Sequence, residues 1–415
     1  MAGKAGRGAD IRPKDEHQLA EIVAWALSSE CRLAVVGGGS KRFGGRPMQC
    51  DYTLNLSALS GVTLYEPEEL VLSAHAATPL DEIEALLAEN RQQLAFEPAN
   101  LGALLASGKR RAGTLGGMLA TNLSGPRRIK AGSARDHFLG FRAVSGRGEI
   151  FKSGGRVVKN VTGYDMCKGL AGSWGTLAVM SLVTLKVLPA AESSATLVVR
   201  GLDNAAAVRV MSEVMQGSCD VSGAAHLPAV LAARSSIREV AATDAAATVF
   251  RLEGIAASVA YRADRLGESA KRHGVVAVLE DASSRKLWQD VRDVRLLAVP
   301  RERQIWRLSV PPSTGAAVMS EIARQVAECE GYFDWAGGLL WLAIPPVDDA
   351  HAGIIRAAVA RSTGHATLIR AVAGVRAEVD VFQPQAGPVA ALTRRIKAGF
   401  DPRGILNPGR MYADV

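Results

Sequence analysis

A short apolar segment running into glycines sets the first limit on this chain: Arg32 to Gly45 reads RLAVVGGGSKRFGG. A strand that ends in three consecutive glycines invites comparison with the two common phosphate loops, each of which demands fixed residues at fixed offsets. Read as G-x-G-x-x-G from Gly37, the segment has Gly39 in the second slot but Arg42 in the third, and FGGRP is a poor opening for a long helix. Read as G-x-x-x-x-G-K-[ST] from Gly39, it has Gly44 in place but Gly45 and Arg46 where Lys and Ser or Thr belong. Folds in which a glycine loop leads straight into a long helix are therefore excluded. Two readings stay open: backbone N–H groups curled around an anion, and a plain glycine-rich turn.

The 415 residues suffice for two or three domains and a large core. At 48% hydrophobic and 22% charged residues, the composition is that of a globular chain, neither disordered nor fibrous. No window approaches ~20 uninterrupted apolar residues, so no transmembrane segment is expected. The start MAGKAGRGADIRPKDE lacks the apolar stretch of a signal sequence, and the expected location is cytoplasmic. Cys31, Cys50, Cys167, Cys219 and Cys329 are far apart with no C-x-x-C, which predicts core thiols rather than a zinc or iron–sulfur site. The formal charge of +8 is spread without a long basic run or interleaved aromatics. It fits anionic ligands or an acidic partner better than nucleic acid, and most of it is a solvated basic surface.

From Ile11 to about Asn55 the pattern is helix, strand, loop, strand, with Leu19, Ile22, Val23, Ala26 and Leu27 at helical spacing behind Asp15 and Glu16. A strand near Tyr65 to Ala77 leads into TPLD, where Thr78 and Asp81 have capping-box spacing and Pro79 stands at the first helical position. Between Gly113 and Pro189 glycine-rich stretches separate apolar segments, as in loops converging on one place. After Pro189 the chain turns to Ala-rich alternating segments with a recurring strand–helix–strand rhythm, a second α+β domain. The tail GFDPRGILNPGRMY is rich in turn residues.

Four segments, in order, carry a resemblance: VVGGGSKRFGG; AGTLGGMLATNLSG with GSARDHFLG; KNVTGYDMCKGLAGSWGTLAVMSLVTLKVLP; and FDPRGILNPGRM. Together they resemble the flavoproteins with a vanillyl-alcohol oxidase type FAD domain, also called the p-cresol methylhydroxylase type. Within them the chain looks most like the E subunits of bacterial glycolate oxidase, with GYFDWAGGLLWL, Gly331 to Leu342, as the distinguishing stretch. The resemblance implies an α+β fold: a two-lobed FAD-binding domain over residues 1–190, a second α+β, ferredoxin-like cap domain over 191–385, and a C-terminal segment, 386–415, returning to the FAD domain. It implies FAD-binding residues Val36, Gly37, Gly38, Gly39, Ser40 and Lys41 in the first loop. A second wall comprises Thr114, Leu115, Gly116, Gly117, Thr121 and Asn122, with Gly132, Arg135 and Asp136 behind it. Gly172, Gly175, Thr176 and Val179 match the adenosine end, and Asn407, with Gly409, matches positions near the flavin. The residues agree on physical grounds, since glycines let N–H donors approach a pyrophosphate and short Thr and Asn side chains suit a dinucleotide cleft. A buried glycine turn capped by Thr and Asn stands as the lesser alternative for the second wall.

Departures from the family pattern carry information. Relatives with covalent flavin have His after the glycines, where this chain has Ser40 and Lys41, so non-covalent FAD is expected. Where many relatives read G-S-E-G-T this chain has Trp174, whose reading is ordinary packing or contact with a partner. The family's 2-hydroxy-acid dehydrogenases use a His-rich metal segment, and the seven histidines here show no ligand spacing, so no metal site is expected. No catalytic residue can be named; Tyr164 is the nearest base and reads as structural. The implied function is an FAD-binding subunit of a complex oxidising glycolate to glyoxylate, accessory to a catalytic flavoprotein (D-type) subunit and accompanied by an iron–sulfur subunit. Association with the inner face of the membrane through that complex is left open. Two alternatives stand beside it: a self-sufficient FAD-dependent 2-hydroxy-acid or sugar-alcohol dehydrogenase, and a scaffold using Trp335 and Trp341 as an interface, although LLWLAI also alternates like a core strand.

Overall fold

The structure is a computed structural model describing residues 8–105, 113–156, 163–241 and 244–415. Ala112 and residues 159–162, which open two of the motifs above, lie outside the described residues. The chain forms two compact units, one of residues 1–123, 132–190 and 384–415, the other of 124–131 and 191–383.

The first unit contains two sheets. Strands Asp10–Ile11, Tyr52–Asn55 and Leu33–Val36 form a parallel sheet with Tyr52–Asn55 in the middle. Helix Glu16–Ser28 makes the crossover; Asp15 caps it by accepting from the Gln18 N–H at 2.8 Å, and Leu19, Val23 and Ala26 are its buried stripe. Parallel pairing requires such a crossover, which accounts for the helix between the first two strands. The second sheet is antiparallel, in the order Val62–Glu66, Val71–His75, Ala178–Lys186, Phe138–Ser145, Ile150–Gly154. Helices Leu80–Glu89 and Leu115–Thr121 bury Ile83, Leu87, Met118 and Leu119 in one core with Leu72, Phe141 and Val183.

The capping box expected at Thr78 does not form. The helix begins at Leu80, and the Thr78 hydroxyl donates to the His75 carbonyl at 2.7 Å and accepts from the Gly61 N–H at 2.9 Å. A fully buried hydroxyl takes the nearest backbone partners, and here these lie in the preceding turn.

The chain end returns to the first unit through helix Gly387–Phe400. Leu406 bridges Leu33, and Ile405 and Leu406 share a core with Leu33, Leu54 and Val179. Lys397 and Asp401 hold this return: Nζ donates to Asp401 Oδ2 at 2.7 Å, the Thr176 carbonyl at 2.6 Å and the Leu406 carbonyl at 2.9 Å. Asp401 accepts from the N–H groups of Ile405 and Leu406. Every polar atom of the buried pair is thus satisfied locally, the condition under which such a pair is tolerated.

The second unit is built on an eight-stranded antiparallel sheet, ordered Val276–Leu279, Ser193–Arg200, Ala247–Gly254, Gly223–Leu227, Glu330–Asp334, Leu339–Ile344, Gln304–Ser309, His365–Arg370. In chain order this is one β-α-β-β-α-β unit followed by another, joined where His226 pairs with Phe333. Helices Asn204–Gln216, Ala256–Ala270, Gly315–Gln325 and Ala352–Ala360 cover one face, packing on Leu197, Phe250, Leu308 and Leu340. Helix Asp281–Arg292 lies against the other face, where Trp288 Nε1 donates to Thr196 Oγ1 at 2.8 Å. Trp341 and Trp335 are 4% and 7% exposed, so they belong to the unit's packing and not to an open surface. Among the described residues no helix is long and apolar enough to cross a membrane.

Candidate functional site

The glycine loop leaves strand Leu33–Val36 and runs against Thr114. A Cβ on Gly37 would stand 2.5 Å from Thr114 Oγ1, and one on Gly38 3.3 Å from Thr114 Cγ2, so only hydrogen fits at the first of these positions. Gly39 then turns the chain at φ +74°. Thr114 is itself the cap of helix Leu115–Thr121, its Oγ1 accepting from the Gly117 N–H.

Three residues distant in sequence close the loop. Asn407, at φ +42°, accepts from the Val35 N–H and donates to the Trp174 carbonyl, each at 2.7 Å. Trp174, at φ +53°, donates its N–H to the Ala120 carbonyl at 2.8 Å and lays its ring on Gly44. Arg410 donates to the Lys41 carbonyl at 2.8 Å, accepts from the Arg46 N–H at 2.9 Å, and holds its guanidinium 5.6 Å from the Trp174 ring.

These groups line a cleft of about 130 Å³. Pockets that enclose a whole drug-sized ligand measure roughly 300–1,000 Å³, so this cleft takes one polar group of a larger molecule. Val36, Gly37, Gly38, Gly39, Ser40, Lys41, Thr114, Gly117, Thr121 and Asn407, all expected from the sequence, line it. So do Val35, Met48, Ala120, Trp174 and Arg410, which the sequence reading did not assign to a ligand. Arg410 had one available signal, a cation three residues after the Asn of the tail motif.

The other expected residues lie behind the wall. Leu115 is fully buried, and Gly116 donates its N–H to the Ala76 carbonyl at 2.7 Å where a Cβ would be 2.8 Å from that of Ala76. Asn122 ends the helix at φ +48° and accepts from the Arg135 N–H through Oδ1. Asp136 takes the N–H and hydroxyl of Ser133, each at 2.8 Å, beside Gly132 at φ +83°. Gly172 donates its N–H to the Leu119 carbonyl, and Gly175, at φ +71°, leaves room for Asn407 Nδ2, which a Cβ would approach to 2.7 Å. The Thr176 hydroxyl donates to the Ser173 carbonyl, and Val179 is a core residue of strand Ala178–Lys186. Tyr164 is 91% exposed. Among the described residues, no three His, Cys, Asp or Glu side chains come together as a metal site would need.

The electrostatics of the cleft are carried by Lys41. Loss of water pulls its ammonium down to about 8, and among the described residues no carboxylate pairs with it. A desolvated cation without a counter-charge is costly unless a ligand brings one. The cleft therefore fits an anionic group approached by bare backbone on one side and by Lys41 on another, which is the chemistry of a diphosphate.

Comparison with known proteins agrees. Residues 8–154 match the family described as FAD binding domain. Glycolate oxidase subunit GlcE of Escherichia coli is 32% identical over 96% of this chain and 97% of its own length. Glycolate oxidase subunit GlcD of Bacillus subtilis is 25% identical over 97% and 88%. Among solved structures, p-cresol methylhydroxylase with its substrate bound superposes with a TM-score of 0.71 at 12% identity, covering 99% of this chain and 90% of that one, which establishes a shared fold. The domain match and the kinship with glycolate oxidase subunit GlcE define an FAD-binding oxidoreductase, and the superposition shows a fold shared with p-cresol methylhydroxylase. The chain belongs to the family of glycolate oxidase subunit GlcE.

Proposed function

We propose that this chain is the FAD-binding subunit of a multi-subunit glycolate oxidase that converts glycolate to glyoxylate, accessory to a catalytic flavoprotein subunit and working with an iron–sulfur subunit. The observation that carries the cofactor half is the glycine loop itself, whose Gly37, Gly38 and Gly39 line one cleft with Lys41, a half-buried cation that no carboxylate among the described residues pairs with. The kinship with subunits GlcE and GlcD supports the assembly. Bound FAD supplies two-electron redox chemistry; the residues of this chain hold and orient it. Gly37, Gly38 and Gly39 offer N–H groups to the diphosphate, Lys41 neutralises it, and Thr114, Gly117 and Thr121 form the facing wall. Residues 115–116, 122, 132–136 and 172–179 fix that wall and the adenosine side. Residues 1–190 and 386–415 together form the FAD-binding part, and residues 191–385 the cap. Because Ser40 follows the glycines, the cofactor is held non-covalently, and association with a membrane surface would come through the complex.

Affinity purification of the tagged full-length chain tests this, with a flavin spectrum before and after acid precipitation and identification of the proteins that come with it. The expected result is a yellow protein whose FAD enters the supernatant, accompanied by a larger flavoprotein and an iron–sulfur protein. A protein that binds no FAD removes the cofactor half. Glycolate oxidation by the isolated chain at the rate of the complex removes the accessory role.

A further inference from the structure

The eight-stranded sheet of the second unit has two edges, and the chain covers only one of them. At the first, strand His365–Arg370 is closed by residues that follow it: the Leu368 N–H donates to the Val381 carbonyl at 2.8 Å, and the Ala366 N–H to Gln383 Oε1 at 3.1 Å. At the second, strand Val276–Leu279 pairs with Ser193–Arg200 and with no other strand. The Arg200 N–H donates to the Val275 carbonyl at 3.0 Å. In the alternation of an antiparallel ladder, Val275, Ala277 and Leu279 therefore turn their backbone groups inward, and Val276 and Val278 turn theirs outward. Among the described residues nothing meets those outward N–H and C=O groups.

An open edge recruits other strands, and proteins blunt it with a lysine, a proline, a bulge or a covering element. This edge has none of these. Its residues, VAVL, carry no charge and no proline, and their register with Ser193–Arg200 is unbroken over four pairs. Val276 packs on the core and Leu279 is buried, whereas Val275 is 66% and Val278 48% exposed. The strand is thus anchored from within and apolar toward solvent.

The flanks select the strand that fits. Lys271 to Asp281 reads KRHGVVAVLED, cations before the apolar run and acids after it. Laid antiparallel on itself, this segment brings Lys271 and Arg272 of each copy toward Glu280 and Asp281 of the other; laid parallel, it sets like charges side by side. Glu280 is exposed and forms no ion pair among the described residues. Lys271, Arg272 and Asp281 pair within the chain with Glu268, Glu213 and Arg285, but these six side chains are 49% to 73% exposed. Pairs so open to water hold their charges weakly, so sharing them with a second copy costs little.

We infer that strand Val276–Leu279 pairs antiparallel with the same strand of a second copy of this chain, about a two-fold axis at Ala277, to make one continuous sheet. In that register Val276 and Val278 of one copy exchange backbone hydrogen bonds with Val278 and Val276 of the other. The same patch serves on both sides, so the pairing closes on itself and leaves neither copy a free edge to recruit a third.

Sedimentation velocity of the full-length chain over a concentration series tests this, with hydrogen exchange of residues 275–280 followed on the same samples. The expected result is a shift from 43.7 kDa toward twice that mass as concentration rises, with the Val276 and Val278 amides exchanging more slowly in step. Val278→Pro removes an outward N–H and no bond of the chain's own ladder. Because the change falls in both copies, it should weaken the dimer by about 10- to 100-fold, the loss of two backbone hydrogen bonds, and leave the melting temperature near that of wild type. Glu280→Lys should weaken the dimer too, and Glu280→Lys with Arg272→Glu should recover part of the loss. A chain that stays at 43.7 kDa throughout, or a dimer that Val278→Pro and Glu280→Lys leave unchanged, overturns the inference. If Val278→Pro does not fold, Glu280→Lys and the double variant decide. Slowed exchange at 275–280 only when a different protein is bound would assign this edge to that protein and overturn the pairing of copies.

Discussion

At the scale of single residues, the glycines of the first loop differ in what they do. Gly37 is needed for space: a methyl group there would meet the Thr114 hydroxyl at 2.5 Å. Gly37→Ala is expected to weaken FAD binding by about 1–3 kcal/mol, the usual cost of overpacking a tight contact. Adding Thr114→Ala should recover part of the loss, because the two substitutions share one contact and are not additive. Fluorescence titration of apoprotein with FAD measures both. Lys41 gives a pH signature. Its ammonium titrates near 8 in the free cleft, and an anion beside it favours the charged form, so the bound-state value is higher. Affinity for FAD is therefore greatest below about 8 and falls as pH rises through that value; Lys41→Met should bind more weakly and lose this dependence, and a wild-type affinity that is flat from neutral to alkaline pH would contradict the assignment. The glycines and Thr114 were legible because close backbone approach leaves only a few residue types possible. Trp174 and Arg410 were not, since their place depends on left-handed turns at Trp174 and Asn407 that bring distant segments together.

At the scale of elements, the returning helix Gly387–Phe400 shows why periodicity can fail. Its apolar side chains Val389, Leu392 and Ile396 are exposed, and its one buried residue is a lysine. A pattern rule places the apolar stripe inside, so the sequence shows only a turn-rich tail here. What seats the helix is the pair Lys397 and Asp401, whose hydrogen bonds reach the Thr176 and Leu406 carbonyls and so join the tail to the loop behind the cleft. Burial holds the Lys397 ammonium below its usual range, with Asp401 opposing, yet the cation keeps three acceptors. Lys397→Met should cost about 3–5 kcal/mol, because it strands a buried carboxylate, and Lys397→Met with Asp401→Leu should be less destabilised than the single variant. Thermal melts of the two variants decide this. A single variant as stable as wild type would mean that the tail is seated by Ile405 and Leu406 alone. Thr78 fails as a cap for a related reason: spacing names a possible bond, and burial decides which partner the hydroxyl takes.

For the whole molecule, the sequence displayed the change of texture near Pro189 but not the excursion of residues 124–131 into the second unit. Eight residues have no periodicity of their own, and their destination is set by partners far along the chain. Arg127 makes two hydrogen bonds to Glu253, at 2.9 and 2.7 Å, and Glu253 also faces Arg251 and accepts from the Ser222 hydroxyl. Burial pushes this carboxyl up, but Arg251, Arg127 and Ser222 together outweigh it and hold it at about 2, against 4.5 for an ordinary glutamate. The folded value lies below the unfolded one, so the group stabilises the fold fully above about 4.5, and that contribution is lost as pH falls from there toward 2. A depression of this size corresponds to about 3 kcal/mol. Urea unfolding between pH 6 and 3, followed by the emission of Trp288, Trp306 and Trp341 in the second unit, should show stability falling below about 4.5 in wild type. Glu253→Gln should start lower at neutral pH, since the buried guanidinium of Arg251 and the half-buried one of Arg127 lose their charge partner, and should fall less steeply through the acid range. An acid limb as steep in Glu253→Gln as in wild type would assign the acid sensitivity to other carboxylates, and would leave residues 124–131 held by the Trp335 to Gly125 hydrogen bond instead of by Glu253.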